Sequence, residues 1–316
     1  MKAITKHIYG GPEVLGLEEI EQPILKKKHV LIKVKANSAN PADWHILRGK
    51  PFFSRFTFGL FKPKNKVLGA DFSGIVQEVG TDITNFKVGD RVFGEMLGEG
   101  AFAQYICAPE HVCGLMPEGT TYNDMACVPL AGLTAWQSLL TYGKLKKGET
   151  VLINGSSGGV GHFAVQIAKV YGAHITAICS NKNIDFVKSI GADKVVAYDK
   201  VNIHQHNGKY DLVLDTNGNL KFSDYKRMGK RGIMVGFTTM KHMFSVLINA
   251  GFSKFPLTQF TAKANYNDLN TLANLIEKGG IKPHIEKTYS YSQIPEAIKY
   301  IESMRTRGKV VMTWEK

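Results

Sequence analysis

The sequence has little from which to build covalent cross-links or a metal site. Its 316 residues include four cysteines, Cys107, Cys113, Cys127 and Cys179. They stand singly, with no Cys-x-x-Cys pair and no cysteine–histidine cluster at zinc-ligand spacing, so they read as reduced structural thiols rather than a disulfide framework. Also absent is any apolar run near the roughly 20 residues of a membrane helix. The opening Met1-Lys2-Ala3-Ile4-Thr5-Lys6-His7 starts no signal-peptide core. A cytoplasmic protein with no membrane partner is the expectation. Internal repeats and low-complexity segments are missing as well.

Negative charge is in deficit: 27 Asp+Glu stand against 40 Lys+Arg, a formal net charge of +13. Such an excess raises the question of a polyanionic partner. The basic residues are spread along the chain, however, and the densest run, Lys26-Lys27-Lys28, lies in what reads as a loop. A solvated lysine-rich surface is therefore favoured over nucleic-acid binding, although the charge would assist an anionic cofactor. The length is enough for two domains with a sizeable core.

What is present centres on Val151-Leu152-Ile153-Asn154-Gly155-Ser156-Ser157-Gly158-Gly159-Val160-Gly161. Three β-favouring residues read as a buried strand. The glycine-rich turn opens into a helix whose apolar positions Val160, Phe163, Ala164, Ile167, Ala168 and Tyr171 recur at helical spacing. Strand, tight turn and helix together expose backbone N–H groups at a helix N-terminus, where glycine lets a pyrophosphate approach. The fingerprint register is Ser156-x-Gly158-x-x-Gly161, with serine in the first glycine's place. The turn from Gly155 to Gly161 is the predicted dinucleotide contact, that is Gly155, Ser156, Ser157, Gly158, Gly159, Val160 and Gly161.

Before this turn, residues 1 to about 120 alternate short apolar runs with turn signals and read as a barrel or sandwich. Within them, Pro51 to Lys66 is a basic loop rich in phenylalanine. It reads either as a loop pinned down by its aromatics or as a lid over an apolar pocket. From Thr121 onward helices alternate with strands, as in a parallel, doubly wound sheet. Strands are predicted at 175–179, 195–196, 211–215, 232–236 and 257–262, and helices at 129–140, 184–190, 266–277 and 294–304. Residues 238–256 read as irregular. A last strand is predicted at 309–313.

Asn40-Pro41-Ala42-Asp43, the run Leu68 to Gly74, Val88-Gly89-Asp90-Arg91-Val92, Pro129 to Ala135, the glycine turn with Ala164-Val165-Gln166, Ile190-Gly191-Ala192-Asp193 and Arg307 to Val311 follow one another along the chain. In that order they resemble the medium-chain dehydrogenase/reductase superfamily, specifically its zinc-independent quinone oxidoreductase-like branch, which includes NADPH:quinone and alkenal reductases. The resemblance implies an α/β protein with a GroES-like β-barrel catalytic domain at 1–122 and a doubly wound parallel Rossmann NADP-binding domain at 123–262. A C-terminal segment, 263–316, would return to the first domain. Substrate would lie in the cleft between them, and a homodimer would form through the sheet edge near 257–262.

Zinc-dependent relatives carry a cysteine where this chain has Asn40, and a Gly-His-Glu triplet where it has Gly69-Ala70-Asp71. No metal is expected. Without a Lewis acid, alcohol oxidation is disfavoured relative to hydride transfer onto a quinone or an α,β-unsaturated carbonyl. The alternatives are an NADP-dependent alcohol or aldehyde oxidoreductase, and an NADPH-sensing or nucleic-acid-binding protein without turnover. Asn40 and Asp43 are the candidate catalytic residues by resemblance, each weighed against a structural role in the turn or an ion pair within the fold.

About 20 residues past the turn stand Ser180-Asn181-Lys182, with no carboxylate before Asp185. Hydroxyl, amide and ammonium groups suit a 2′-phosphate, which favours NADPH over NADH. Further cofactor contacts are expected from Thr134 and Tyr198 by resemblance, from Gly236 and Phe237 at a strand's carboxyl end, and from Lys309.

Overall fold

His29–Ala39 forms an eleven-residue strand in which Val30, Leu31, Ile32, Val34 and Ala36 are buried, and a seven-stranded sheet grows around it. The computed structural model describes residues 1–314. Its first strands are β1 (Lys2–Thr5), β2 (Gly16–Glu19), β3 (His29–Ala39), β4 (Asp71–Val79), β5 (Arg91–Glu95), β6 (Tyr105–Pro109) and β7 (Cys113–Leu115). Six more follow: β8 (Thr150–Asn154), β9 (His174–Cys179), β10 (Lys194–Ala197), β11 (Tyr210–Asp215), β12 (Gly229–Met234) and β13 (Leu257–Gln259). The last two are β14 (Ile285–Ser290) and β15 (Lys309–Thr313).

The chain separates into two units. Unit 1 contains Met1–Leu133, Lys263–Gly279 and the chain from Pro283 on; unit 2 contains Thr134–Ala262 and Gly280–Lys282. In unit 1 the strands run β14-β15-β3-β4-β5-β7, with β6 also pairing β3, and β1 and β2 form a separate ribbon. The inward alternation of β3 and β4 builds a core of Val30, Ile32, Val34, Phe72, Val76 and Val92. A second cluster packs Leu47, Leu68 and Phe102 against Ile294, Ile298 and Met312. The returning segment is thus part of this unit's interior. The helix Pro41–Arg48 that follows β3 starts with proline and ends at Gly49, whose φ of +57° suits glycine.

Unit 2 is a parallel sheet in the order β10-β9-β8-β11-β12-β13. β8 supplies Val151, Leu152 and Ile153, all fully buried, as expected for a strand covered on both faces. The chain leaves β8 toward β9 and β10 and then returns to β11 on β8's other side, so the sheet's switch point lies between β8 and β11.

Sequence and structure part company over 238–256. Instead of irregular chain, Met240–Gly251 is a helix capped by Thr239, whose side chain accepts from the His242 N–H. Met243 and Val246 are buried in the cluster of β11 and β12 side chains, with Met240 and Leu247 alongside. An i, i+3, i+6 stripe was present, but interleaved Lys, His and Phe masked it. The 51–66 loop also holds two short turns, Phe52–Ser54 and Arg55–Phe58. Among the described residues, no helix is long and apolar enough to cross a membrane.

Candidate functional site

In unit 2, β8 ends at Asn154 and the chain turns into the helix Gly159–Val170. Gly155 has φ +83°, and a Cβ on it would meet Thr216 Oγ1 at 2.4 Å and Asn217 Oδ1 at 2.5 Å. A Cβ on Gly161 would lie 2.1 Å from the Gly155 carbonyl oxygen and 2.7 Å from Ser156 Cα, both backbone. The helix therefore packs straight onto its own turn. At Gly158 a Cβ would find only the Gly155 oxygen within 4 Å, at 3.4 Å. That outer side is open, and no side chain caps the helix. Ser157, Gly158, Gly159 and Val160 are half-buried around it. An open backbone patch at a helix N-terminus on the switch point fits a pyrophosphate.

Ser156 does not belong to that open face. Its N–H and its Oγ both donate to the Ile178 carbonyl, at 3.0 and 2.8 Å, and it is fully buried. It closes the turn, and both of its donors are committed. Ser157 accepts from Asn183 Nδ2 at 3.0 Å, which ties the turn to the segment after β9.

Ala197 of β10 pairs beside Cys179 of β9, so Ser180, Asn181, Lys182 and Tyr198 emerge together on one edge. Asn181, Lys182 and Tyr198 are exposed there. The strand pairing also brings a carboxylate that spacing along the chain did not reveal: Asp199 Oδ1 accepts from the Asn181 N–H at 2.8 Å.

On the other side of the switch point, Asp215 is fully buried. It accepts from Asn154 Nδ2 at 2.8 Å, the N–H groups of Asn217, Gly218 and Leu220, and the Tyr225 hydroxyl. Burial pushes its carboxyl up, opposed by these bonds. Asp215 thereby fixes the 216–220 loop. Gly218, at φ +62°, lies on the Gly236 carbonyl, where a Cβ would stand 1.9 Å away. Gly236 and Phe237 are half-buried at this end of β12, while Thr134 is buried in its helix. The role of Asp215 and Asn154 escaped the sequence reading because acid and amide are 61 residues apart.

In unit 1, Asn40, Asp43, Asp71 and Lys309 form a buried polar cluster. Asn40 Nδ2 donates to Asp71 Oδ2 at 2.8 Å, and the Leu130 N–H donates to Asp71 Oδ1 at 2.9 Å. Lys309 Nζ donates to Asn40 Oδ1 at 2.5 Å and to the Ala39 carbonyl at 3.3 Å, and it lies 3.4 Å from Asp71 Oδ2. Burial raises the Asp71 carboxyl, and Lys309 opposes that rise. The ammonium of Lys309 is thus held inside unit 1 and has no donor left over for a cofactor.

The Asn40 N–H donates to Asp43 Oδ2 at 2.7 Å, while Asp43 Oδ1 is buried without a hydrogen-bond partner. Burial pushes Asp43 up to about 8. In place of the expected ion pair, Asp43 caps the strand-to-helix turn. Asn40 thus directs its side chain to the Ser38 carbonyl, Asp71 and Lys309, while Asp43 holds the Asn40 backbone through Oδ2 alone. Nearby Lys6 is pulled down to about 8 by burial and donates to the Asn65 carbonyl at 3.3 Å.

Two family models match: alcohol dehydrogenase GroES-like domain over residues 26–118 and zinc-binding dehydrogenase over 190–312. The chain is 33% identical to a chloroplast envelope quinone oxidoreductase homolog of Arabidopsis thaliana, over 99% of this chain and 98% of that one. It is 32% identical to an NADPH-dependent alkenal/one oxidoreductase of the same plant, over 99% and 79% respectively. Among solved structures, the quinone oxidoreductase of Coxiella burnetii superposes with a TM-score of 0.87 at 28% identity, covering 100% of this chain and 99% of that one.

Proposed function

Because the chain belongs to the quinone oxidoreductase-like branch of the medium-chain dehydrogenase/reductases, we propose that it transfers hydride from NADPH to a quinone or an α,β-unsaturated carbonyl. The observation that carries this reading is the open, uncapped helix start at Gly158, on the sheet's switch point. Bound NADPH supplies the hydride from nicotinamide C4. The first-turn N–H groups from Gly159 hold its pyrophosphate, and Ser180, Asn181 and Lys182 beside Tyr198 receive the 2′-phosphate. Gly236, Phe237 and Thr134 line the approach of the nicotinamide.

With an enone, hydride adds to the β-carbon, the electron pair moves to the carbonyl oxygen as an enolate, and water returns a proton. With a quinone, hydride and one proton give the hydroquinone. The protein's part is to orient the two partners and exclude bulk water. Zinc has no place in this scheme: an ammonium, Lys309, lies 2.5 Å from Asn40 at the position where zinc-dependent relatives carry a cysteine. A homodimer through the outer edge of β13 and a cytoplasmic location complete the proposal.

The test is oxidation of NADPH and NADH side by side, with a quinone and with an unsaturated aldehyde, with and without a chelator. Chelator-resistant NADPH consumption with either electrophile is expected. Tight NADPH binding without turnover on any electrophile would replace the reductase reading with a nucleotide sensor.

A further inference from the structure

The segment Lys50 to Lys66 contains five basic residues, five phenylalanines and no acid. Three contacts pin it from beneath. Phe58 packs on the unit 1 core beside Gly98. The Tyr9 hydroxyl donates to the Gly59 carbonyl at 2.5 Å. Arg55 donates to the Gly49 carbonyl and lies over the Tyr9 ring, 4.3 Å from its centroid. The loop is therefore anchored without its remaining aromatics. Phe52, Phe53, Phe56 and Phe61 are exposed, the last to 90%. Lys50, Lys62, Lys64 and Lys66 are exposed among them. A hollow of about 690 Å³ opens here, lined by Phe56, Lys62, Lys64, Lys66 and His7. Among the described residues no acid lines it, and His7 is paired with Glu18 at 2.9 Å.

Bare phenyl rings held outward on a fixed loop are unusual on a protein surface and mark an interaction site. We propose that this loop is a peripheral docking surface for an anionic lipid bilayer. The rings enter the boundary between headgroups and acyl chains, and the lysines around the hollow meet lipid phosphates. A lipid surface suits this chemistry better than nucleic acid. Apart from Asn65, which caps its own loop through the Val67 N–H, the stretch offers no amide to read base edges, and its rings stand beside an aliphatic Leu60, exposed as they are. Surface contact of this kind departs from the expectation of no membrane partner and requires no spanning helix. The proposal does not depend on the hydride-transfer reading.

The experiment is co-sedimentation of the full chain with vesicles of phosphatidylcholine, with and without phosphatidylglycerol, at low and high salt. Binding to the anionic vesicles alone, weakened by salt, is expected. Lys62→Gln with Lys64→Gln should weaken it roughly 25-fold, at about fivefold per lysine. Phe56→Ser with Phe61→Ser should weaken it about tenfold or more. Both rings are solvent-exposed, so the unfolding midpoint should not move; Phe61→Ser alone provides a second variant. Equal binding by the phenylalanine variants would reduce the effect to net charge and overturn the proposal. So would absence of vesicle binding, or salt-sensitive retention of DNA or RNA in its place. A changed KM for the electrophile at unchanged vesicle binding would make the loop a lid instead.

Discussion

Two glycines three residues apart should separate stability from cofactor binding. A methyl group added at Gly161 would collide with the Gly155 carbonyl at 2.1 Å and Ser156 Cα at 2.7 Å. Neither is a flexible side-chain end, so the helix must move off its turn. Overpacking of this kind costs about 2–3 kcal/mol, which lowers Tm by roughly 3–5 °C in a chain this size. At Gly158 the backbone is extended, with φ −80° and ψ −176°, and the nearest atom would be 3.4 Å away. Gly158→Ala should therefore leave Tm within about 1 °C. Its methyl group would instead occupy the pyrophosphate's approach and weaken NADPH about tenfold, the loss of one good charge-assisted hydrogen bond. Thermal unfolding of the apoprotein and titration of nucleotide fluorescence read the two quantities independently. If Gly158→Ala loses as much Tm as Gly161→Ala, or binds NADPH undiminished, the reasoning about this turn is wrong.

Lys182→Ala should raise the KM for NADPH about tenfold and leave that for NADH unchanged, by removing a charge-assisted contact to the 2′-phosphate; paired initial-rate measurements check it. Lys309→Met strands the buried Asp71 carboxylate and should destabilise by about 3–5 kcal/mol, with adding Asp71→Asn restoring much of the loss in denaturant unfolding. Asp43 carries a pH dependence whose sign follows from its raised pKa. The folded state holds the proton up to about 8, whereas an unfolded aspartate releases it near about 4. Its stabilising contribution is full below about 4 and is lost as pH rises toward 8. Asp43→Asn keeps an oxygen to accept from the Asn40 N–H and should flatten that decline, which a series of Tm values across pH would register.

Local chemistry was the legible part of this chain. The helix Tyr266–Glu277 has the bounds its apolar spacing predicts, and β8 with its glycine turn lies where three β-branched and aliphatic residues precede Gly155. Patterns failed where composition hid a period, as in Met240–Gly251. They failed again where function depends on strands meeting across the sequence. Asp199 reaches Asn181 because β10 lies beside β9, and Asp71 meets Lys309 across 238 residues. Lys309, expected as a cofactor contact within Arg307-Gly308-Lys309, is instead buried in unit 1. Its burial could be known only once β15 was seen lying against β3.

That placement of β15 bears on how the protein is made. β15 lies between β14 and β3, parallel to the first and antiparallel to the second, and 270 residues separate Lys309 from Ala39. During synthesis, nearly all of unit 2 leaves the ribosome as one uninterrupted stretch and can fold at once. β6 covers His29–Lys33 of that edge early, but Ala36–Ala39 of β3 must wait unpaired through all of that interval for β15, an open edge of the kind that invites wrong partners. Unit 1 is therefore the half expected to need chaperone protection, and a chain cut short before β15 should leave a folded nucleotide-binding half joined to an aggregating one.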